Sequence, residues 1–174
     1  MIESLEHKGF KIEIHQDEWG ESPREWDNLG TMVIFHPRYN LGDKHSFRSA
    51  EDAIEFMNNA QDDIYWLPVY MYEHSGITIS TTPFGCRWDS GQVGFIYVTK
   101  EHADKEGVID ALAVLEGEIE NLDQYIRGEN YGYKVIDGEG TEVDSCWGFL
   151  GDMDYCVSEA KAVVDYYDKQ KQVA

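Results

Sequence analysis

A chain of 174 residues with 34 Asp plus Glu against 14 Lys plus Arg has a formal net charge of -20. That excess repels phosphates and argues against direct binding to nucleic acid or to an anionic membrane, and favours a basic partner instead. At 42% hydrophobic and 13% aromatic, the chain is too apolar for wholesale disorder and long enough to bury a core as one domain over residues 1–174.

No stretch of about 18 apolar residues occurs, and the start, MIESLEHKGFKIEI, lacks the apolar run of a secretory signal. The expectation is a cytoplasmic protein without a membrane span. Cys86, Cys146 and Cys156 are an odd set without close pair spacing, which reads as reduced, buried thiols.

Lys11 to His15 alternates Ile12 and Ile14 with polar neighbours and is read as a first strand. Asp17 to Asn28 follows as an acidic surface loop carrying Trp19 and Trp26. Thr31 to His36 is a second strand, ended by Pro37, which cannot donate to a ladder. After a polar loop, Ser49 stands three residues before Asp52 and caps a helix that places Ile54 and Met57 on one side up to about Ala60.

Residues 66–98 are the sheet core, rich in β-branched and aromatic residues and poor in charge. A three-residue loop, His74-Ser75-Gly76, sets Met71 opposite Ile79 and keeps the apolar side chains on one face, with Gly76 supplying a positive φ. A third strand, Val93 to Val98, follows the loop Pro83 to Gly91. Thr99 caps a short turn through Lys105, and Gly107 ends it. A long helix then runs to about Arg127, with Val108, Leu112, Leu115, Ile119, Leu122 and Ile126 recurring at four, three, four, three and four.

Beyond Gly128, Tyr131 to Ile136 and Glu142 to Trp147 form a second hairpin around Gly138–Gly140. Val135 should face Val143, and Lys134 should pair across the strands with Asp144. A last helix, Asp154 to Gln170, aligns Val157, Ala160, Val164 and Tyr167. The sum is an α+β fold: a largely antiparallel sheet with two hairpins and three helices packed on one face.

Two groups of residues are candidates for partner binding. The polar side of the long helix carries Asp110, Glu116, Glu118, Glu120 and Asp123 with hardly a base among them. Duplex DNA presents about one charge per 1.7 Å of axis, so a row of carboxylates can occupy a basic groove in its place. Trp19 and Trp26, set among Glu18, Glu21, Glu25 and Asp27, are the second group, because rigid aromatics dominate interface hot spots. Trp66 and Trp147 read as core. The competing account is an acidic coat that serves solubility; halophile adaptation usually trims lysine, yet nine lysines here outnumber five arginines.

An enzyme of a different class is the alternative. His36, Asp43 and His45 flank one loop and are a candidate metal set, while His74, Ser75, Asp89 and Ser90 offer a base and a nucleophile. None of these spacings forms a motif with a mechanism, whether GxSxG, HExxH, a phosphate-binding glycine loop or CxxC. Asp89-Ser90-Gly91 also reads as a turn before a strand.

The run Arg38-Tyr39-Asn40-Leu41-Gly42-Asp43, with His74-Ser75-Gly76 and Trp88-Asp89-Ser90-Gly91-Gln92-Val93-Gly94-Phe95-Ile96-Tyr97, resembles a family of small acidic proteins of bacteriophages and mobile elements. The likeness extends through Asp123-Gln124-Tyr125 and Ser145-Cys146-Trp147-Gly148-Phe149. It implies a setting, since small acidic proteins from such elements are often inhibitors of host defence, among them anti-restriction and anti-CRISPR proteins that resemble DNA in charge. The resulting expectation is a non-enzymatic inhibitor that binds the basic surface of a host nucleic-acid-binding protein or defence complex and needs no cofactor or metal. The apolar stripe of the long helix also allows a homodimer.

Overall fold

The computed structural model describes Met1–Cys86 and Trp88–Val173, apart from the side chains of residues 172 and 173. Arg87, inside the loop expected over Pro83 to Gly91, lies outside the described residues. In chain order the elements are β1 (Glu3–His7), β2 (Phe10–Gln16), a 3-10 turn (Pro23–Glu25), β3 (Thr31–Ile34) and α1 (Ala50–Asn59). Then come β4 (Ile64–Glu73), β5 (Ile77–Ser80), β6 (Ser90–Thr99), α2 (Lys100–Lys105), α3 (Ala111–Ile126), β7 (Asn130–Ile136), β8 (Glu142–Leu150) and α4 (Met153–Val173). The fold is α+β with antiparallel sheets. It has two four-stranded sheets where one was expected. Residues 1–21 with 128–174 form one compact unit and 22–127 the other.

In the first unit the strand order is β1-β2-β7-β8. Ile12 pairs with Val135 and Ile14 with Tyr133, and these side chains, with Phe10, pack against Cys156, Ala160 and Val164 of α4. Alternation sends Lys11, Glu13 and His15 to the other face. The edge strand β1 was not foreseen, because Glu3–His7 contributes only Leu5 to the core. It is joined to β2 through Lys8 (φ 48°) and Gly9 (φ 77°), a two-residue turn whose left-handed pair matches the twist of the strands.

The β7–β8 hairpin departs from the expected register. Val135 lies opposite Asp144 and Lys134 opposite Ser145, with an irregularity between Val135 and Ile136. The cause is the loop, in which the Asp137 carboxylate accepts from the N–H groups of Glu139 and Thr141, both at 2.9 Å. Lys134 therefore pairs with Glu142 at 2.8 Å instead of Asp144. Gly140 takes the left-handed conformation as expected (φ 86°).

In the second unit the order is β3-β6-β4-β5. Both faces of β6 are apolar. Ile96 and Val98, with Val69 and Met71, pack on Leu115, Ile119 and Leu122 of α3, whereas Phe95 and Val33 on the opposite face meet Ala53 and Met57 of α1. Helices thus cover two faces of this sheet, where one was expected. The buried ridge of α1 is Ala53–Met57, one helical turn apart, and this leaves Ile54 57% exposed. Leu112 likewise turns outward on α3, and Ala111 is buried in its place.

The caps follow the sequence. Ser49 Oγ accepts from Asp52 N–H at 3.2 Å, and Thr99 Oγ1 from His102 N–H at 3.2 Å. Met71 faces Ile79 across the three-residue loop, but its left-handed residue is Ser75 (φ 54°) rather than Gly76. Trp66 and Trp147, expected in the core, are both partly exposed, and of the cysteines only Cys156 is buried. Among the described residues no helix is long and apolar enough to cross a membrane.

Candidate functional site

The expected carboxylate row on α3 does not survive intact. Glu118 is buried, and it organises the loop before β3. Its Oε1 accepts from Leu29 N–H (2.7 Å) and Gly30 N–H (3.1 Å), and its Oε2 accepts from Arg24 Nη1 at 2.8 Å. Arg24 is itself enclosed, with 7% of its side chain exposed. It donates through Nε (3.0 Å) and Nη2 (2.6 Å) to Asp43, and through Nη2 to Gly30 O. Burial pulls the Arg24 guanidinium down, and its hydrogen bonds to the Asp43 and Glu118 carboxylates, with their charge, more than offset this, leaving it above its ordinary value.

Two further members of the row are also occupied. Asp123 accepts from Thr78 Oγ1, Ile79 N–H and Arg127 Nε, and Asp110 is the N-cap of α3, accepting from Ala113 N–H. Only Glu116 and Glu120, one helical turn apart, are exposed on the middle of the helix. Glu118 is corrected from a surface carboxylate to a structural one. The spacing puts Glu118 at the edge of the buried face, directly before Ile119 and three residues after Leu115, and does not by itself turn it inward.

The charge nonetheless reaches the surface broadly. The first unit has 16 acids against six bases and the second 18 against eight, so the excess belongs to both units equally. Seven of the bases are paired with the chain's own acids, among them Arg24 and Lys134. Lys8 lies on Asp165, Lys11 on Glu13, Arg38 on Glu73, Arg48 on Asp52 and Arg127 on Asp123. Glu18, Glu21, Glu25 and Asp27 are all exposed, as are Trp19 (93%) and Trp26 (45%).

The alternative enzyme residues divide into two sets. Asp43 is committed to Arg24 and to Met32 N–H (2.7 Å), so it is a structural anchor and no ligand to a metal. His45 sits between Phe35 and Phe47 at ring distances of 5.2 and 5.7 Å. By contrast, His36, His74, Ser75, Asp89 and Ser90 line one pocket of about 550 Å3, together with Arg38, Glu73 and Trp88. His36 is stacked on Tyr39 at 5.0 Å, and its Nδ1 accepts from Arg38 N–H. His74 Nδ1 stands 4.0 Å from Asp89. The two hydroxyls, however, are spent on backbone: Ser75 Oγ donates to His74 O and Ser90 Oγ to Cys86 O. Neither nucleophile is directed to a base, which nucleophilic catalysis requires. Among the described residues no group of three or more His, Cys, Asp or Glu side chains is placed to hold a metal ion.

A site the sequence reading missed lies in the first unit. Trp147, on the open face of the sheet, rests against Gly132 so closely that a Cβ there would come within 2.3 Å of its ring. His15 lies beside it, with ring centroids 5.9 Å apart. Across a cleft of about 390 Å3 stand Asp17, Glu18 and Trp19. The Asp17 carboxylate accepts from Trp19 N–H (3.2 Å), and Asp17 N–H donates to Asn130 O (2.7 Å), so the turn that presents Trp19 is tied to the start of β7. Gly132, an unsupported glycine inside an otherwise bulky strand, was the legible hint of a close approach.

Comparison with protein-family models, with characterised proteins and with solved structures finds no match to this chain.

Proposed function

We propose that this is an acidic binding protein of the phage type, acting in the host cytoplasm, that occupies the basic surface of a nucleic-acid-handling or defence protein in place of DNA and inhibits it. One observation carries the reading: the carboxylate excess is divided equally between both units, and seven of the bases are already paired with the chain's own acids. A surface of that kind attracts a phosphate-binding groove from any side and repels nucleic acid itself. The phage setting and the defence target rest on the resemblance in sequence.

The test is capture from a bacterial lysate on the tagged protein, with elution by rising salt and identification by mass. A nuclease, restriction enzyme or CRISPR complex should leave the resin as salt rises, and its cleavage of DNA should fall when the protein is added. Recovery of no such protein, or undiminished cleavage, refutes the proposal.

The pocket of His36, His74 and Asp89 supports a second reading, a small hydrolytic enzyme. A turnover that is lost in His74→Ala and in Asp89→Ala with folding intact would favour it. The donation of both serine hydroxyls to carbonyls places it behind the binding reading.

A further inference from the structure

We infer that the cleft between Trp19 and Trp147 is a receptor for a guanidinium group, occupied in the bound state by an exposed arginine of the basic partner. The occupant's place on a partner protein rests on the function proposed above; the cation chemistry of the cleft does not. Three observations combine. Trp19 is 93% exposed, so it contributes almost nothing to the core, yet its turn is fastened at two points through Asp17. Trp147 keeps 45% of its surface exposed on a seat that only glycine at position 132 allows. The rest of the lining is His15, Gln16, Asp17 and the exposed Glu18, so the two carboxylates are its acidic members and His15, whose Nε2 is 3.3 Å from Glu13, its one titratable base.

Aromatic faces are negative at their centres, and a cation placed over them within about 6 Å is attracted, more strongly where water is displaced. Carboxylates at the rim add to that attraction and discriminate against anions and against apolar side chains, which gain nothing from them. Arginine suits the cleft better than lysine. Its guanidinium is planar, stacks on indole rings, and gives up water more readily than a compact ammonium. A cleft of about 390 Å3 also admits the apolar stem that follows the head group. Basic surfaces that hold nucleic acid supply such arginines, so the cleft would add an aromatic anchor to what is otherwise long-range attraction.

The experiment uses the full chain and three blocked tripeptides, Gly-Arg-Gly, Gly-Lys-Gly and Gly-citrulline-Gly, titrated while the indole N–H signals of the five tryptophans are followed by NMR. The arginine peptide should shift two of the five, one of which disappears in Trp19→Ala. Lysine should bind more weakly, and citrulline, which keeps the shape without the charge, should not bind. Trp19→Ala should lower arginine affinity about five- to thirtyfold, and Glu18→Gln should lower it less. Trp19 lies outside the core, so that variant tests the site without threatening the fold. Equal binding of citrulline, or unchanged affinity in Trp19→Ala, overturns the inference. Arginine selectivity that depends on Trp19 supports it whatever the lysate capture returns, so the two readings fail separately.

Discussion

Removing the Glu118 carboxylate should unfold the second unit far more readily than removing any neighbouring acid on α3. Glu118→Ala leaves Leu29 N–H and the buried Gly30 N–H without their acceptor, and strips from the enclosed Arg24 one of its two anionic partners. An orphaned buried donor costs about 1–3 kcal/mol, and breaking a buried ion pair from one side about 3–5 kcal/mol. These overlap, because Asp43 still holds the guanidinium through two hydrogen bonds, so the expected loss is about 3–5 kcal/mol. For a chain of this size that lowers the melting temperature by about 10–15 °C. Urea unfolding followed by circular dichroism measures it, with Glu116→Ala as the control. Glu116 is exposed and accepts only a long 3.3 Å bond from Thr81, so its loss should cost less than about 0.5 kcal/mol. A Glu118→Ala variant as stable as Glu116→Ala would show that Arg24 and the loop do not depend on this carboxylate, and the argument for its structural role would fall.

Alkylation should separate the cysteines: exposed Cys146 labels within minutes at pH 8. Cys156, fully buried and pushed up to about 11 chiefly by that burial and then by Cys146, stays unmodified until the protein is unfolded; peptide mass mapping reads both. Asp137 is held below the usual carboxylate range, first by the Thr141 N–H, against the opposing cost of burial, and also by that of Glu139. Its stabilisation is therefore present above about pH 4 and is lost as pH falls through the lowered native value. Asp137→Asn should melt earlier than wild type at pH 7 and converge with it at pH 2. Gly94→Ala should destabilise by about 1–3 kcal/mol in urea, because its Cβ would come within 1.9 Å of Val33 O, a backbone atom that cannot withdraw without breaking the β3–β6 ladder.

The elements that were legible in the sequence are those in which local signals and burial agree. Ser49 and Thr99 are both the residues a cap needs and the residues that cap. Met71 faces Ile79 because the only register that keeps apolar side chains together is the one the loop length permits. The edge strand β1 escaped notice because an edge needs few apolar residues, and its positive-φ turn begins with Lys8, which does not announce a turn as Asn would. The two-sided sheet escaped because a continuous apolar run such as Phe95–Val98 fits a strand buried on one face or on both. Glu118 was misplaced for a related reason. Helical periodicity assigns a position to a face by angle, and at the boundary between faces a carboxylate lies inward only if a cation is waiting there. That cation, Arg24, is 94 residues away in sequence, and no local pattern reports it. Trp19 was placed on the surface because nothing around it is apolar, and it is exposed, whereas Trp147 was assigned to the core because of its apolar strand neighbours.

The burial of Glu118 also dictates how the carboxylate face of α3 must be tested. Reversing Glu116, Glu118 and Glu120 together would abolish binding by unfolding the second unit, and the result would say nothing of charge. Glu116→Lys with Glu120→Lys leaves the Arg24 network untouched and takes the net charge from -20 to -16. Glu55→Lys with Glu106→Lys makes the same change at exposed positions on α1 and at the end of α2. If the α3 face meets the partner's phosphate-binding groove, the first pair should weaken binding at least tenfold more than the second. It should also flatten the dependence of log affinity on log salt by about one unit per carboxylate removed, by analogy with phosphate contacts. Equal, small effects of the two pairs would assign the attraction to overall charge, and no effect of either would leave the acidic surface to solubility alone. Binding measured at three salt concentrations on the captured partner distinguishes these outcomes, because overall charge alters affinity and salt slope alike in the two pairs, whereas a local contact alters them more in the first.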